Sequence, residues 1–162
     1  METAFDSYPG VEQFTVRVPR YAVPSGGYLY FTMPASLQDL FGFRSETRDN
    51  PIFWSAPRRI AIRTTLTLPQ EFATLVLQPA EIEWKAPQSA GVVRVLATRR
   101  EEAATAQAAP SGGKGACCVI EQTMNLLPAM IPAMDYDDLL HIQRLLNHPS
   151  ARTILATADG AP

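Results

Sequence analysis

The sequence predicts a mainly β fold, an antiparallel β-sandwich with one C-terminal α-helix over about residues 135–148. Three observations carry that reading. Between Pro57 and Pro69, Ile60, Ile62, Thr64, Leu66 and Leu68 alternate with Arg59, Ala61, Arg63, Thr65 and Thr67. A period of two rich in β-branched residues marks a strand with one buried face. The 14 prolines cut residues 19–87 into strand-sized pieces at Pro19, Pro24, Pro34, Pro51, Pro57, Pro69, Pro79 and Pro87, and such punctuation favours a sandwich or barrel. After residue 135 the period changes to that of a helix, with Leu139, Ile142 and Leu146 on one stripe flanked by Leu140 and Leu145.

The elements follow in order. Phe14, Val16 and Val18 alternate with Thr15 and Arg17, predicting a short strand that stops at Pro19. Ser25-Gly26-Gly27 turns into residues 28–33, YLYFTM, a run apolar enough for a strand covered on both faces. Ser36 opens one helical turn as N-cap, and Gly42 ends it. Residues 43–57 are a polar loop holding an Arg-Asp-Asn-Pro turn and the pair Phe53-Trp54. Residues 58–68 then form a central strand fenced by Pro57 and Pro69, because proline cannot donate to a ladder.

Beyond it, residues 72–77 are a strand between Pro69 and Pro79, and Ile82 and Trp84 alternate with Glu81, Glu83 and Lys85. Residues 91–98 form a further strand. The small, polar stretch 101–116 reads as a flexible hairpin excursion. Residues 117–127 return beside 91–100. Asp135, Asp137 and Asp138 stand where acids cap a helix and suit its dipole, and Pro149 ends that helix. Residues 154–156 close the chain as a strand within a single domain, 1–162.

A chain of 162 residues can bury roughly 70% of its unfolded surface without disulfides or metals. The hydrophobic fraction of 46% and charged fraction of 19% are those of an ordinary globular protein. A net charge of −2 argues against whole-molecule attraction to nucleic acid. No apolar run is long enough to span a bilayer, and METAFDSYPG lacks the pattern of a signal peptide. These features leave the compartment unassigned, with no nucleic-acid partner and no membrane insertion expected.

The residue types that carry chemistry are few. Cys117 and Cys118 are adjacent, with Cα atoms about 3.8 Å apart, below the span of an ordinary disulfide. Cys118 with His141 would make a thiol and a base, but the cysteines lie mid-strand, where alternation sends one into the core and one outward. His141 and His148 with Asp137 fall short of a zinc site, and Asp135 to Asp138 lack the ligand spacing of a calcium loop. Ser111 to Gly115 has neither the leading glycine nor the trailing hydroxyl of a phosphate loop, and no Gly-x-Ser-x-Gly elbow is present. No catalytic residue, metal or cofactor is expected from this inventory.

Arg44, Arg48, Arg58, Arg59 and Arg63 form a basic segment. These arginines read as the wet face of the sheet, pairing across strands with acids such as Glu81 and Glu83; alternatively they form an anion or partner site. Phe41, Phe43, Phe53, Trp54 and Trp84 read as core aromatics, with a stacking platform as the alternative. The candidate binding residues are therefore Trp54, Arg58, Arg59 and Arg63.

Residues 26–33, 48–51, 60–69 and 135–146 carry a glycine turn into an apolar strand, an R-x-N-P turn, a long alternating strand ending in Leu-Pro, and a helix opening with acid-Tyr. In this order they resemble the C-terminal β-sandwich region of large bacterial transglutaminase-like proteins. The resemblance implies a region that follows a papain-like Cys-His-Asp core. That core has no counterpart here, since Cys118 lacks its glycine–aromatic helix start. The implied function is a non-catalytic accessory module whose partner is a neighbouring domain or another protein. The alternatives are a carbohydrate- or peptide-binding sandwich and a small Cys-dependent hydrolase or transferase.

Overall fold

A computed structural model describes residues 2–4, 11–13, 15, 18–38, 41–44, 46–72, 74–100 and 117–158. The chain forms antiparallel sheets and one C-terminal helix. Its strands are β1 (Glu2–Ala4), β2 (Val11–Gln13), β3 (Val23–Ser25), β4 (Tyr28–Thr32), β5 (Ile52–Trp54) and β6 (Arg58–Thr67). They continue with β7 (Thr74–Leu77), β8 (Ile82–Lys85), β9 (Gly91–Arg100), β10 (Cys117–Leu126), β11 (Ala129–Ile131) and β12 (Thr153–Thr157); helix α1 is Tyr136–Asn147. One four-stranded sheet runs β6-β10-β9-β8 and a second runs β3-β4-β12-β7, with β1-β2 and β11-β5 as two-stranded ribbons.

The larger sheet has one continuous inner face. On β10 it carries Cys118, Ile120, Gln122, Met124 and Leu126, all buried. Residues directly opposite on neighbouring strands share that face, so register adds Leu66, Ile62 and Ile60 from β6 and Ala97, Val95 and Val93 from β9. Two different covers close it. Around Cys118, Ile120 and Ala97 the cover is the second sheet, through Leu29, Phe31, Ile154 and Ala156. Around Val93, Val95, Met124 and Leu126 it is α1, through Leu139, Ile142 and Leu146, together with Ile52 and Ile131 of the β11-β5 ribbon. Alone, a helix of 12 residues is marginal in water. Burial of each large aliphatic side chain, about 1.5–3 kcal/mol apiece, is what holds it here.

Several expectations change against the structure. The strand over residues 58–68 keeps its alternation, but among the described residues β6 lies at a sheet edge, not at the centre, and Ile60 is 39% exposed. The pattern reports which face is apolar and is silent on how many neighbours a strand has; β10 and β9 take the central places. Strand β4 is covered on one face only, with Leu29 and Phe31 buried and Tyr30 exposed. Its tyrosines tolerate solvent through their hydroxyl ends, so an apolar run overstated the burial.

No helix forms over the described residues 36–38; Leu37 is instead drawn into the core, its N–H donating to Gln122 Oε1 at 2.9 Å. The pair Phe53-Trp54 belongs to strand β5 and not to a loop. Asp135 makes no side-chain cap; its Oδ2 accepts from Gln88 Nε2 at 3.3 Å, while Asp138 Oδ2 accepts from Trp84 Nε1 at 3.1 Å. The expected strand over residues 14–18 falls partly outside the described residues, with Thr15 and Val18 in no strand, and the excursion over 101–116 falls wholly outside them.

Two turns depend on backbone conformations that most residues avoid. Ser25 pairs with Tyr28 across Gly26 (φ 56°) and Gly27 (φ 84°), the positive-φ pair that a two-residue hairpin needs to match strand twist. Gly91, at φ 139°, begins β9 so close to β10 that a Cβ would stand 2.1 Å from the Asn125 carbonyl oxygen. Gly91→Ala is expected to cost about 1–3 kcal/mol from backbone strain alone. Urea unfolding should show a lower midpoint at an unchanged slope; an unaltered midpoint would disprove the constraint.

Candidate functional site

Four of the five aromatics singled out by the sequence converge. Phe41 stacks on Phe43 at 5.1 Å and on Trp54 at 6.0 Å, and meets Trp84 edge-on at 6.1 Å. Phe43 in turn meets Tyr136 of α1 edge-on at 5.1 Å. Offset and edge contacts of this kind add roughly 0.5–1.5 kcal/mol per pair beyond area burial. The cluster fastens residues 41–43 over the helix-covered half of the core. Gln143 fixes the same segment through its amide, accepting from Phe43 N–H at 3.1 Å and donating to Phe43 C=O at 3.0 Å.

Strand β5 places the other aromatic differently. Ile52 and Trp54 face inward opposite Ile131 and Ala129, whereas Phe53 faces outward directly opposite Met130. The indole N–H of Trp54 donates to the Leu127 carbonyl, so its one polar handle is used internally. Phe53 is 72% exposed, Met130 63%, and Met134, in the 3-10 turn after β11, 86%. Unbranched thioethers beside an aromatic ring make an adaptable apolar surface.

The candidate arginines do not gather into one patch. Register puts Arg59 and Arg63 on the outer face of β6 and Arg58 on the opposite row. Arg59 Nε donates to Asn125 Oδ1 at 3.2 Å, and Arg63 pairs with Glu121 at 3.4 Å, both across to β10. The expected pairing of these residues with Glu81 and Glu83 does not form: Glu83 pairs with Arg94 at 3.1 Å, because β8 lies beside β9, and both β9 and β10 separate it from β6. All three contacts are exposed, and the two ion pairs among them contribute about 0–1 kcal/mol each.

Both cysteines are free and buried, at 3% for Cys117 and 0% for Cys118. The alternation holds in direction, yet the outward Cys117 is covered as well. Cys118 sits among Leu29, Phe31 and Ile154 in the half of the core away from the helix, whereas His141 is exposed on α1; the thiol–imidazole pairing does not form. Burial pushes the Cys118 thiol up, with Cys117 beside it adding in the same direction, opposite to what a reactive thiolate needs.

A cleft of about 460 Å³ lies between the start of β8 and the end of α1, lined by Glu81, Ile82, Glu83, Leu145, His148 and Ser150. His148 Nδ1 accepts from the Ser150 backbone N–H at 3.3 Å and lies 2.7 Å from Ser150 Oγ. This is a local cap of the 3-10 turn Pro149–Ala151, and among the described residues no carboxylate orients the ring as a catalytic relay requires. Also among the described residues, no three His, Cys, Asp or Glu side chains come together to hold a metal ion, and no helix is long and apolar enough to cross a membrane.

No family model, curated protein or solved structure matches this chain. The exposed ribbon pair and the two buried glutamines were not found from sequence. Phe53 and Met130 lie far apart in the chain, and nothing local pairs them. Gln122 occupies an alternating strand position that a polar residue ordinarily gives up to an apolar one, which was the only available signal.

Two outcomes follow for this region. Gln122→Leu, which strands the buried Leu37 N–H, is expected to destabilise the fold by about 1–3 kcal/mol, read as a lower denaturation midpoint. For Cys118, whose thiol is raised on folding, stability is fully present below the ordinary thiol range near ~8.5 and is lost as pH rises through the folded value. Iodoacetamide at neutral pH should label Cys118 only on unfolding; rapid labelling of the native chain would contradict its burial.

Proposed function

We propose that the chain is a non-catalytic accessory module that packs against a neighbouring protein domain, as in the transglutaminase-like proteins that its sequence resembles. The observation that carries this reading is the outward Phe53–Met130 pair on the β11-β5 ribbon, with Met134 also exposed in the turn that follows β11. Contiguous exposed apolar surface marks interaction sites in soluble proteins, and aromatic and methionine side chains are enriched at the centres of interfaces. The ribbon also packs through Ile52 and Ile131 on the same core as α1, so the surface is presented from a rigid base. The buried, proton-retaining thiol of Cys118 supports the non-catalytic half of the reading. The inward stacking of Trp54 and the internal engagement of its N–H weigh against a sugar platform built on that ring.

The test places a photo-crosslinking phenylalanine analogue at position 53 of the polypeptide as its host translates it, with the exposed position 71 in the 3-10 turn Gln70–Phe72 as control. Crosslinks mapped to a flanking or bound domain from position 53, and few from 71, are the expected result. Equal or no crosslinking from position 53 would overturn the docking reading. Incorporation of a fluorescent amine into a glutaminyl peptide by the chain, abolished by Cys118→Ser, would overturn the non-catalytic one.

A further inference from the structure

The four outer strands of the two large sheets are not alike. Strand β8 has 4 residues and carries Glu83 and Lys85. Strand β3 has 3 residues, with Pro24 in the middle. Strand β7 has 4, and its register with β12 shifts between Leu155 and Ala156. Short length, charge, proline and register breaks are the devices by which native sheets close their edges to further pairing.

Strand β6 has none of the length-limiting ones. It runs for 10 residues without proline or glycine and stays in unbroken register with β10 from Arg58 to Thr67. Only β10 pairs with it among the described residues. In an antiparallel ladder alternate residues turn their N–H and C=O groups away from the partner strand, so over residues 59–67 β6 presents a row of backbone donors and acceptors that no described strand pairs. Its side chains specify what would fit there. The outer row carries Arg59 and Arg63, with no acid anywhere in the strand; the inner row carries Ile60, 39% exposed, then Ile62 and Leu66, half-buried.

We propose that β6 receives one extended acidic strand of a partner polypeptide, in which carboxylate residues alternate with β-branched aliphatic ones. The carboxylates lie beside Arg59 and Arg63, and the aliphatic side chains complete the cover over Ile60 and Ile62. Main-chain hydrogen bonds supply affinity and alternate side chains supply selectivity, as in other cases of strand addition. A second copy of this chain is the poorer occupant, because pairing β6 with itself brings together two strands that each carry Arg58, Arg59 and Arg63 and no acid of their own, with Glu121 of β10 pairing only Arg63. The inference is independent of the Phe53–Met130 ribbon, and neither residue enters the test.

The experiment titrates the full chain into fluorescein-labelled nine-residue peptides and reads anisotropy at low salt. One peptide alternates Glu with Val and Thr, and a second replaces each Glu by Lys. Two more carry N-methyl groups on alternate residues of the acidic peptide, in either phase. The acidic peptide should bind at least tenfold more tightly than the Lys version. One N-methyl phase should abolish binding and the other leave it within a few fold. The Arg59→Gln/Arg63→Gln chain, folded by circular dichroism, should bind the acidic peptide at least fivefold more weakly. Absence of binding, equal affinity for the Glu and Lys peptides, or indifference to both N-methyl phases would overturn the proposal. So would a dimer in sedimentation that Arg59→Gln/Arg63→Gln strengthens, since it would make a second copy the occupant.

Discussion

The fold depends on one strand face being long enough to need two covers. Strand β10 exposes Cys118, Ile120, Gln122, Met124 and Leu126 to the interior, and among the described residues the elements packed over that face, the five-residue strands β4 and β12 and the 12-residue helix α1, each cover only part of it. The second sheet takes the end near Cys118 and the helix takes the end near Leu126. Gln122 stands between the two clusters, and its amide binds the chain passing there, with Leu37 N–H donating to Oε1 and Nε2 donating to the Ala35 carbonyl at 3.5 Å. A buried amide is stabilising only when its partners are in place, so this position ties the join between the covers to the path of residues 35–37.

The same logic places the surfaces. Gln143 binds the backbone of Phe43 from the helix side, and Phe41 carries the stack onward to Trp54. With Trp54 held inward by its ring and its N–H, strand alternation leaves Phe53 no direction but outward. The exposed ribbon pair is therefore a consequence of how the aromatic core is anchored. Removing an anchor would be expected to disturb the surface as well as the interior, because the ribbon has only two strands and leans on that core.

Charge plays a smaller part in the fold than its distribution along the chain implies. Arg63–Glu121, Arg94–Glu83 and Arg144–Glu46 are exposed pairs, each worth little in water. Their placement matters more for what approaches the protein. Arginines concentrated on the one long outer strand give that edge a sign, whereas the acids Glu81 and Glu83 lie at the opposite side of the same sheet.

The alternation of Ile60 to Leu68, the 3.6-residue stripe of Leu139, Ile142 and Leu146, and the pairing of residues 117–126 with 91–100 were all legible in the sequence, because each is set by local periodicity or by chain proximity. Periodicity fixes which side of a strand is apolar and says nothing of its neighbours, which is why β6 read as central and proved to be an edge. The inward turn of Trp54, the outward pair of Phe53 with Met130, the separation of Cys118 from His141 and the roles of Gln122 and Gln143 were decided by tertiary structure alone. Each depends on a partner from another part of the chain, and a side chain's partner across a core is a property of the assembled sheets, which no local pattern encodes.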